Sequence, residues 1–366
     1  MSVPIVIYSI FASLFGLAVG SFLNVVIHRV PDGASVVAPA SRCPHCGRGV
    51  RPLDNIPLLS FVLLGGRCRD CKARISFVYP AVELLTALVF VLLVVKHGPG
   101  WEAGLHIVFA CAIIALIFID LRHQLLPNVI TYPLFPFAIV AVMLLAAKAR
   151  TTGPVYEFSI LLSPEVPGFS PHRAAIIGGT LLLLAAIGFR IFDWLDGILF
   201  GKYFEGEEFD EESDDPEIRA ILEREQALHR NSNRVIAASM AAGLLLAAAW
   251  VVLAFSGSAT SVEPAYDGLL RASWGALVGG GTIWGLRSVY FFLRGMEGMG
   301  LGDVKLMCGI GAFLGGPGAF GVLLIGSIFG AVAGSVLAYR GQDGLKTALP
   351  FGVCLGLAAL IVLLMR

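Results

Sequence analysis

Two pairs of cysteines and two aspartates are the residues in this chain whose types and spacing could do chemistry. Cys43-Pro44-His45-Cys46 and Cys68-Arg69-Asp70-Cys71 are Cys-x-x-Cys knuckles with 21 residues between them. Four thiolates at this spacing suit a tetrahedral zinc ion, because each knuckle turns tightly enough to aim both sulfurs at one centre. The alternative is a pair of disulfides, which requires an oxidising compartment. His45 lies inside the first knuckle and could also ligate, but four cysteines already complete a tetrahedral set and it is not expected to be a ligand. Asp120 follows a long apolar run and is itself followed by Arg122 and His123. Asp303 sits among Gly295, Gly298, Gly300 and Gly302, and these glycines suit a non-helical backbone that approaches another segment closely. Two carboxylates that share a site do not both ionise easily, so one stays protonated while the other acts as base toward water. That is aspartic-protease chemistry, with neither a metal nor a covalent intermediate. It requires both aspartates at one level.

The elements that must position these residues are membrane helices. Of 366 residues, 57% are hydrophobic and 14% charged, and the mean hydropathy is +0.82. This composition excludes an ordinary water-soluble globule and points to an all-α polytopic membrane protein of about 8–10 transmembrane helices. The formal net charge is zero, so no global attraction to nucleic acid is expected. The 43 glycines suit close helix packing. The first apolar run, residues 3–27, lacks a basic leading segment and a small-residue cleavage site, and reads as a retained helix rather than a signal peptide. The cysteine knuckles follow in a segment rich in arginine, which the positive-inside rule places in the cytoplasm. A reducing cytoplasm also disfavours the disulfide alternative. Alternation of the spans then returns Asp120 to the cytoplasmic side.

The organisation expected is a first helix at 1–27, a small cytoplasmic four-cysteine zinc module at 28–76, and membrane helices carrying Asp120 at 77–147. An insertion follows at 148–264, with two extra apolar spans and an acidic cytoplasmic segment. Membrane helices with the glycine-rich Asp303 motif close the chain at 265–366. The segment 54–61 is expected to pack on the zinc module or the membrane surface. Gly315-Gly316-Pro317 is expected to break the run after Asp303. Asp193 and Asp196 stand at a helix end without glycine context and are not expected to be catalytic. Glu83 reads as a helix-start glutamate that complements the dipole. Cys111, Cys308 and Cys354 read as small packing residues. The runs beginning Arg173 and Arg271 share a loose pattern that either an internal duplication or chance would give.

The residues at 20–31 (GSFLNVVIHRVP), 43–46 and 68–71 (CPHC, CRDC), 54–61 (DNIPLLSF), 75–88 (ISFVYPAVELLTAL), 118–134 (FIDLRHQLLPNVITYPL) and 295–315 (GMEGMGLGDVKLMCGIGAFLG) together resemble the bacterial type IV prepilin peptidases. These are bifunctional leader peptidase/N-methyltransferases. The resemblance implies catalysis by Asp120 and Asp303. It also implies cleavage of prepilins or pseudopilins after a Gly at the cytoplasmic face of the bacterial inner membrane. N-methylation of the new terminus with S-adenosylmethionine would follow, serving type IV pilus biogenesis or type II secretion. It makes the zinc of Cys43, Cys46, Cys68 and Cys71 structural and leaves the methyl-donor residues unassigned. Glu83 and residues 20–24 are the only suggestions for that site. The departure is the separation of 183 positions between the aspartates, where the family usually has one helix pair. An even number of added spans keeps Asp303 cytoplasmic. Three other readings stay open: a peptidase without methyltransferase activity, a transporter with both aspartates as ion ligands near the midplane, and an inactive zinc-ribbon scaffold.

Overall fold

A computed structural model describes residues 3–152, 259–295, 299–339 and 350–366, with isolated helical positions between 179 and 252. Long apolar stretches must satisfy their own backbone hydrogen bonds in a bilayer, and the helix does this within one segment. The described residues accordingly form α1 (Val3–Arg29), a 3-10 turn (Pro52–Asn55), α2 (Leu59–Leu63), α3 (Val78–His97), α4 (Trp101–His123), α5 (Asn128–Thr152), α6 (Ala259–Arg294), α7 (Leu301–Tyr339) and α8 (Phe351–Met365). Six helices among the described residues are long and apolar enough to cross a membrane, and α8 is a shorter apolar helix. Asp193, Asp196, the acidic segment, the extra apolar spans and the start of the suspected duplication at Arg173 lie outside the described residues.

The chain forms two compact units, Met1–Pro127 with Gly326–Arg366, and Asn128–Ile325. In the first, α1 meets α3 along Gly16 and Gly20, four residues apart on one helix face. A Cβ at Gly16 would stand 2.7 Å from Ala87 Cα, and one at Gly20 would stand 2.7 Å from Glu83 Cα. Only a missing side chain lets the backbones come this close, the small-xxx-small logic of membrane helix pairs. The same spacing recurs on α8, where Gly352 lies against Asp120 and Gly356 against Ile117 of α4. In the second unit Gly275 of α6 and Gly311 of α7 meet backbone to backbone, each lying where the other's Cβ would go. Gly268 of α6 rests on Met143 of α5, whose Cα would be 2.8 Å from an added Cβ.

The expected break at Gly315-Gly316-Pro317 is present: the backbone of α7 leaves helical geometry at Gly315, with φ 67° and ψ 174°, a region open to glycine, and the helix resumes beyond it. Gly300 precedes the helix, whereas Gly302 and Asp303 are already in the first turn of α7.

Candidate functional site

The two cysteine knuckles are built alike. Cys43 N–H donates to the Arg48 carbonyl (2.9 Å) and Cys68 N–H to the Ala73 carbonyl (2.8 Å). An isolated antiparallel bridge braces each, Arg42 with Gly49 and Arg67 with Arg74. The residue four after the first cysteine is left-handed in both, Gly47 at φ 68° and Lys72 at φ 60°. These turns bring Cys43, Cys46, Cys68 and Cys71 together with all four sulfurs within 4.8 Å of one another. All seven cysteines are free. The Cys43 and Cys71 sulfurs lie 3.8 Å apart. Zn–S bonds of about 2.3 Å give a tetrahedron with an edge of about 3.8 Å, so the donor set and its spacing fit a divalent metal. The Cys43 thiol is pulled down to about 6 by the N–H groups of Cys46 and His45, against some desolvation. Cys71 is pushed up to about 11: the Ala73 N–H lowers it, and desolvation with the crowding sulfurs of Cys68, Cys43 and Cys46 outweighs that. Four thiols sharing one small volume resist ionising together without a cation among them.

The segment between the knuckles buries none of its 3-10 turn or α2 residues. Its anchors are polar. Arg69 grips Asp54 through paired bonds, the shortest 2.6 Å, and holds the Asp54 carboxyl below the usual range. Leu58 takes the left-handed φ of 57° and turns its N–H onto Glu83 Oε2 at 2.8 Å. Glu83 is therefore no helix-start residue. It lies in the sixth position of α3, only 8% exposed, and also hydrogen-bonds the Ser21 side chain. Asn24 on α1, likewise buried, donates to the Tyr79 carbonyl (3.0 Å). Ser21, Asn24 and Glu83 open on a cavity of about 680 Å³ whose walls include Cys43, Cys68 and Arg122. Its lining is mixed, with apolar groups beside the polar side chains of Ser21, Asn24 and Arg122 and the buried Glu83 carboxylate.

Asp120 belongs to the first unit and Asp303 to the second. Asp120 lies in the last turn of α4, which a left-handed Gln124 caps by donating its N–H to the Asp120 carbonyl (2.9 Å). Its carboxylate is 5% exposed. The N-terminus of α8 has no side-chain cap of its own. Val353 N–H donates instead to Asp120 Oδ2 at 2.9 Å, so a carboxylate on another helix meets one of the unpaired donors of that helix end. Asp303 lies in the first turn of α7 and is 8% exposed. Among the described residues, a Cβ at Gly300 would meet only Asp303 Oδ2 and Gly302 N, both at 3.9 Å.

Two buried cations of the second unit were not singled out from the sequence. Lys305, 5% exposed, donates to Asn128 Oδ1 (3.2 Å) and stands 5.0 Å above the Tyr132 ring. Arg287 is 3% exposed within α6. The available signal was a cation inside an apolar run, which is costly and so functional by default.

Residues 14–97 match the model of the bacterial peptidase A24 N-terminal domain, and residues 236–335 match that of the type IV leader peptidase family. The chain is 39% identical over 203 residues to a type 4 prepilin-like proteins leader peptide-processing enzyme of Escherichia coli, covering 49% of this chain and 75% of the relative. It is 27% identical over 376 residues to a prepilin leader peptidase/N-methyltransferase of Aeromonas salmonicida, covering 96% and 88%. The enzyme of the same name from Pseudomonas aeruginosa is 40% identical over 151 residues, 35% of this chain and 52% of that one. The matched segment thus spans about half of that relative's length. No solved structure matches. The chain belongs to the prepilin leader peptidase family, a family of membrane peptidases.

Proposed function

We propose that the chain cleaves the basic leader from type IV prepilins or pseudopilins after a Gly, using Asp120 and Asp303 as the working pair. The observation that carries this reading is chemical. Each aspartate is a nearly buried carboxylate at the end of an apolar helix, in a chain of a peptidase family. One carboxyl takes a proton from water as the oxygen attacks the scissile carbonyl. The other, protonated, donates a hydrogen bond to the developing oxyanion and then passes its proton to the leaving amine. The basic segment around the knuckles supports a cytoplasmic position for both, in the bacterial inner membrane.

In the same reading Cys43, Cys46, Cys68 and Cys71 hold Zn2+, which supplies a rigid cross-link between the knuckles. The knuckles form one wall of the cavity at Glu83, and keeping that wall in place is the metal's role. A bound S-adenosylmethionine would supply the methyl group for the new N-terminal amine. The names of the relatives support this second activity. The partners are prepilin substrates held by their hydrophobic helices in the bilayer, and the role is in pilus biogenesis or type II secretion.

The test is a liposome assay with a prepilin carrying a basic leader and a Gly-Phe junction, with and without S-adenosylmethionine. The product should be shortened at the Gly and heavier by one methyl when the donor is present. A folded protein that cleaves none of several prepilins overturns the peptidase reading. Ion flux through the same liposomes would then favour the transporter.

A further inference from the structure

We propose that Arg287 of α6 is a positioning residue for the peptidase reaction, its guanidinium holding the Asp303 carboxylate from across the α6–α7 contact. This rests on the reading of Asp303 as one of the working pair and names the residue that holds it.

The register of the two helices places these residues. Gly275 of α6 meets Gly311 of α7, and one turn on Gly279 meets Met307, each contact filling the space of a missing Cβ. Helices that cross on small residues four apart touch along their four-residue rows. Each step is four residues forward on α6 and four back on α7, so the pair is antiparallel. One more step sets Ile283 opposite Asp303, and the next sets Arg287 opposite Met299. Gly280 closes on Cys308 and on Val304, the residue after Asp303, so the contact does extend that way. Gly275, Gly279, Ile283 and Arg287 are all buried, whereas Leu286 and Val289 beside Arg287 are 52% and 57% exposed. Arg287 therefore belongs to the face that closes against α7.

Direction covers the remaining turn. A side chain on a helix leans back over the turn before it. For Arg287 that is toward the level of Ile283, and for Asp303 toward the level of Met299. In antiparallel helices these two leans converge. The carboxylate shows its lean, since Oδ2 lies 3.9 Å from a Cβ built at Gly300, in the turn before Asp303.

Charge gives the same pairing. Arg287 is 3% exposed and Asp303 8%, and ions buried this far need a counter-charge. The described cations of α6 and α7 are Arg271, Arg287, Arg294 and Lys305. Arg271 is bonded to Asp267 on its own helix at 3.0 Å. Arg294 is exposed at the end of α6. Lys305 turns the other way, to Asn128 of α5. Of these four, Arg287 combines the burial and the register that Asp303 requires. A guanidinium offers two parallel N–H donors to one carboxylate, which fixes its plane as well as its place. A carboxylate that must face both water and a scissile carbonyl needs both fixed.

The experiment uses the purified full chain in detergent with its metal retained. Prepilin cleavage is followed over a range of substrate concentrations for wild type, Arg287→Met and Arg287→Lys. Arg287→Met removes the charge, and its kcat should fall about 10- to 100-fold, the scale of a lost hydrogen bond to a carboxylate. KM should stay within about twofold, because the lost contact is not one to substrate. Arg287→Lys keeps the charge without the paired geometry, and should recover at least about fivefold of that loss. Equal losses in the two variants, or an Arg287→Met kcat within about twofold of wild type, overturn the proposal. Melting temperatures test the contact without activity. Arg287→Met and Asp303→Asn should each lower the melting temperature, and the double variant should melt no lower than the worse single one, since neither charge is then left alone. Shifts that simply add overturn the contact. Cleavage by wild type with additive shifts fails this proposal alone, whereas a wild-type chain that cleaves no prepilin fails the peptidase reading whatever the shifts.

Discussion

Substituting Gly352 by alanine should damage peptide cleavage by displacing one carboxylate, with little effect on the fold. In the structure a Cβ at position 352 would stand 2.8 Å from Asp120 Oδ2 and 3.2 Å from its Cγ. Ordinary carbon–oxygen contact is nearer 3.4 Å, so the carboxylate must retreat by roughly 0.6 Å. The Val353 N–H bond to the same oxygen starts at 2.9 Å, and that retreat stretches it to the limit of a hydrogen bond. Losing a hydrogen bond to a carboxylate costs about 1.5–3 kcal/mol. If the bond holds Asp120 in its working orientation, kcat should fall about 10- to 150-fold. KM should change little, because Gly352 packs against Asp120 and Leu126, inside the protein. The assay is prepilin cleavage in detergent over a range of substrate concentrations, with the melting temperature of the same preparation. A kcat within twofold of wild type in a protein of normal stability would refute the idea that α8 orients Asp120. A fall in melting temperature with no change in kcat would assign the contact to helix capping alone.

Asp120→Asn and Asp303→Asn should each abolish cleavage in protein that still inserts in membranes, and activity that survives either change removes that residue from the pair. Cys43→Ser or Cys71→Ser should lose one bound metal equivalent by elemental analysis and impair methylation more than cleavage, whereas full metal retention would show that the four sulfurs are not the ligand set. Gly311→Ala sets a Cβ against the Gly275 backbone, and overpacking of this kind costs about 1–3 kcal/mol; the melting temperature should drop by several degrees. Asp54 is held below its unfolded value by Arg69, so its contribution is complete above about pH 4 and is lost as pH falls through the lower folded-state value. Asp54→Asn should therefore lower the melting temperature at pH 7 and differ less from wild type in acid.

The local features were legible because local rules make them. Each Cys-x-x-Cys knuckle is a short turn, and its geometry needs nothing beyond the residues from one cysteine to the carbonyl five positions on. The membrane helices follow from length and apolarity, and their ends fall within a few residues of the hydropathy limits. Asp120 and Asp303 stood out because a charge at the edge of an apolar run is costly. Glu83 stood out for the same reason but was misjudged. Its position near a helix start suggested a dipole role, and the donor that holds it comes from Leu58, 25 residues earlier, in a backbone conformation no sequence rule assigns to leucine.

The sequence alone therefore determined the helical class, the four cysteines able to hold a metal and the acidic residues able to do chemistry, since each depends on neighbours along the chain. Only the tertiary structure decided what those residues touch. The spacing of Gly16 and Gly20, or of Gly352 and Gly356, marks a face that can pack closely without saying against which helix. The contact of Val353 with Asp120 joins positions 233 apart. That pairing, like the cavity at Glu83, exists because helices distant in sequence close on glycine faces and place a backbone donor or a buried carboxylate where no local pattern records it.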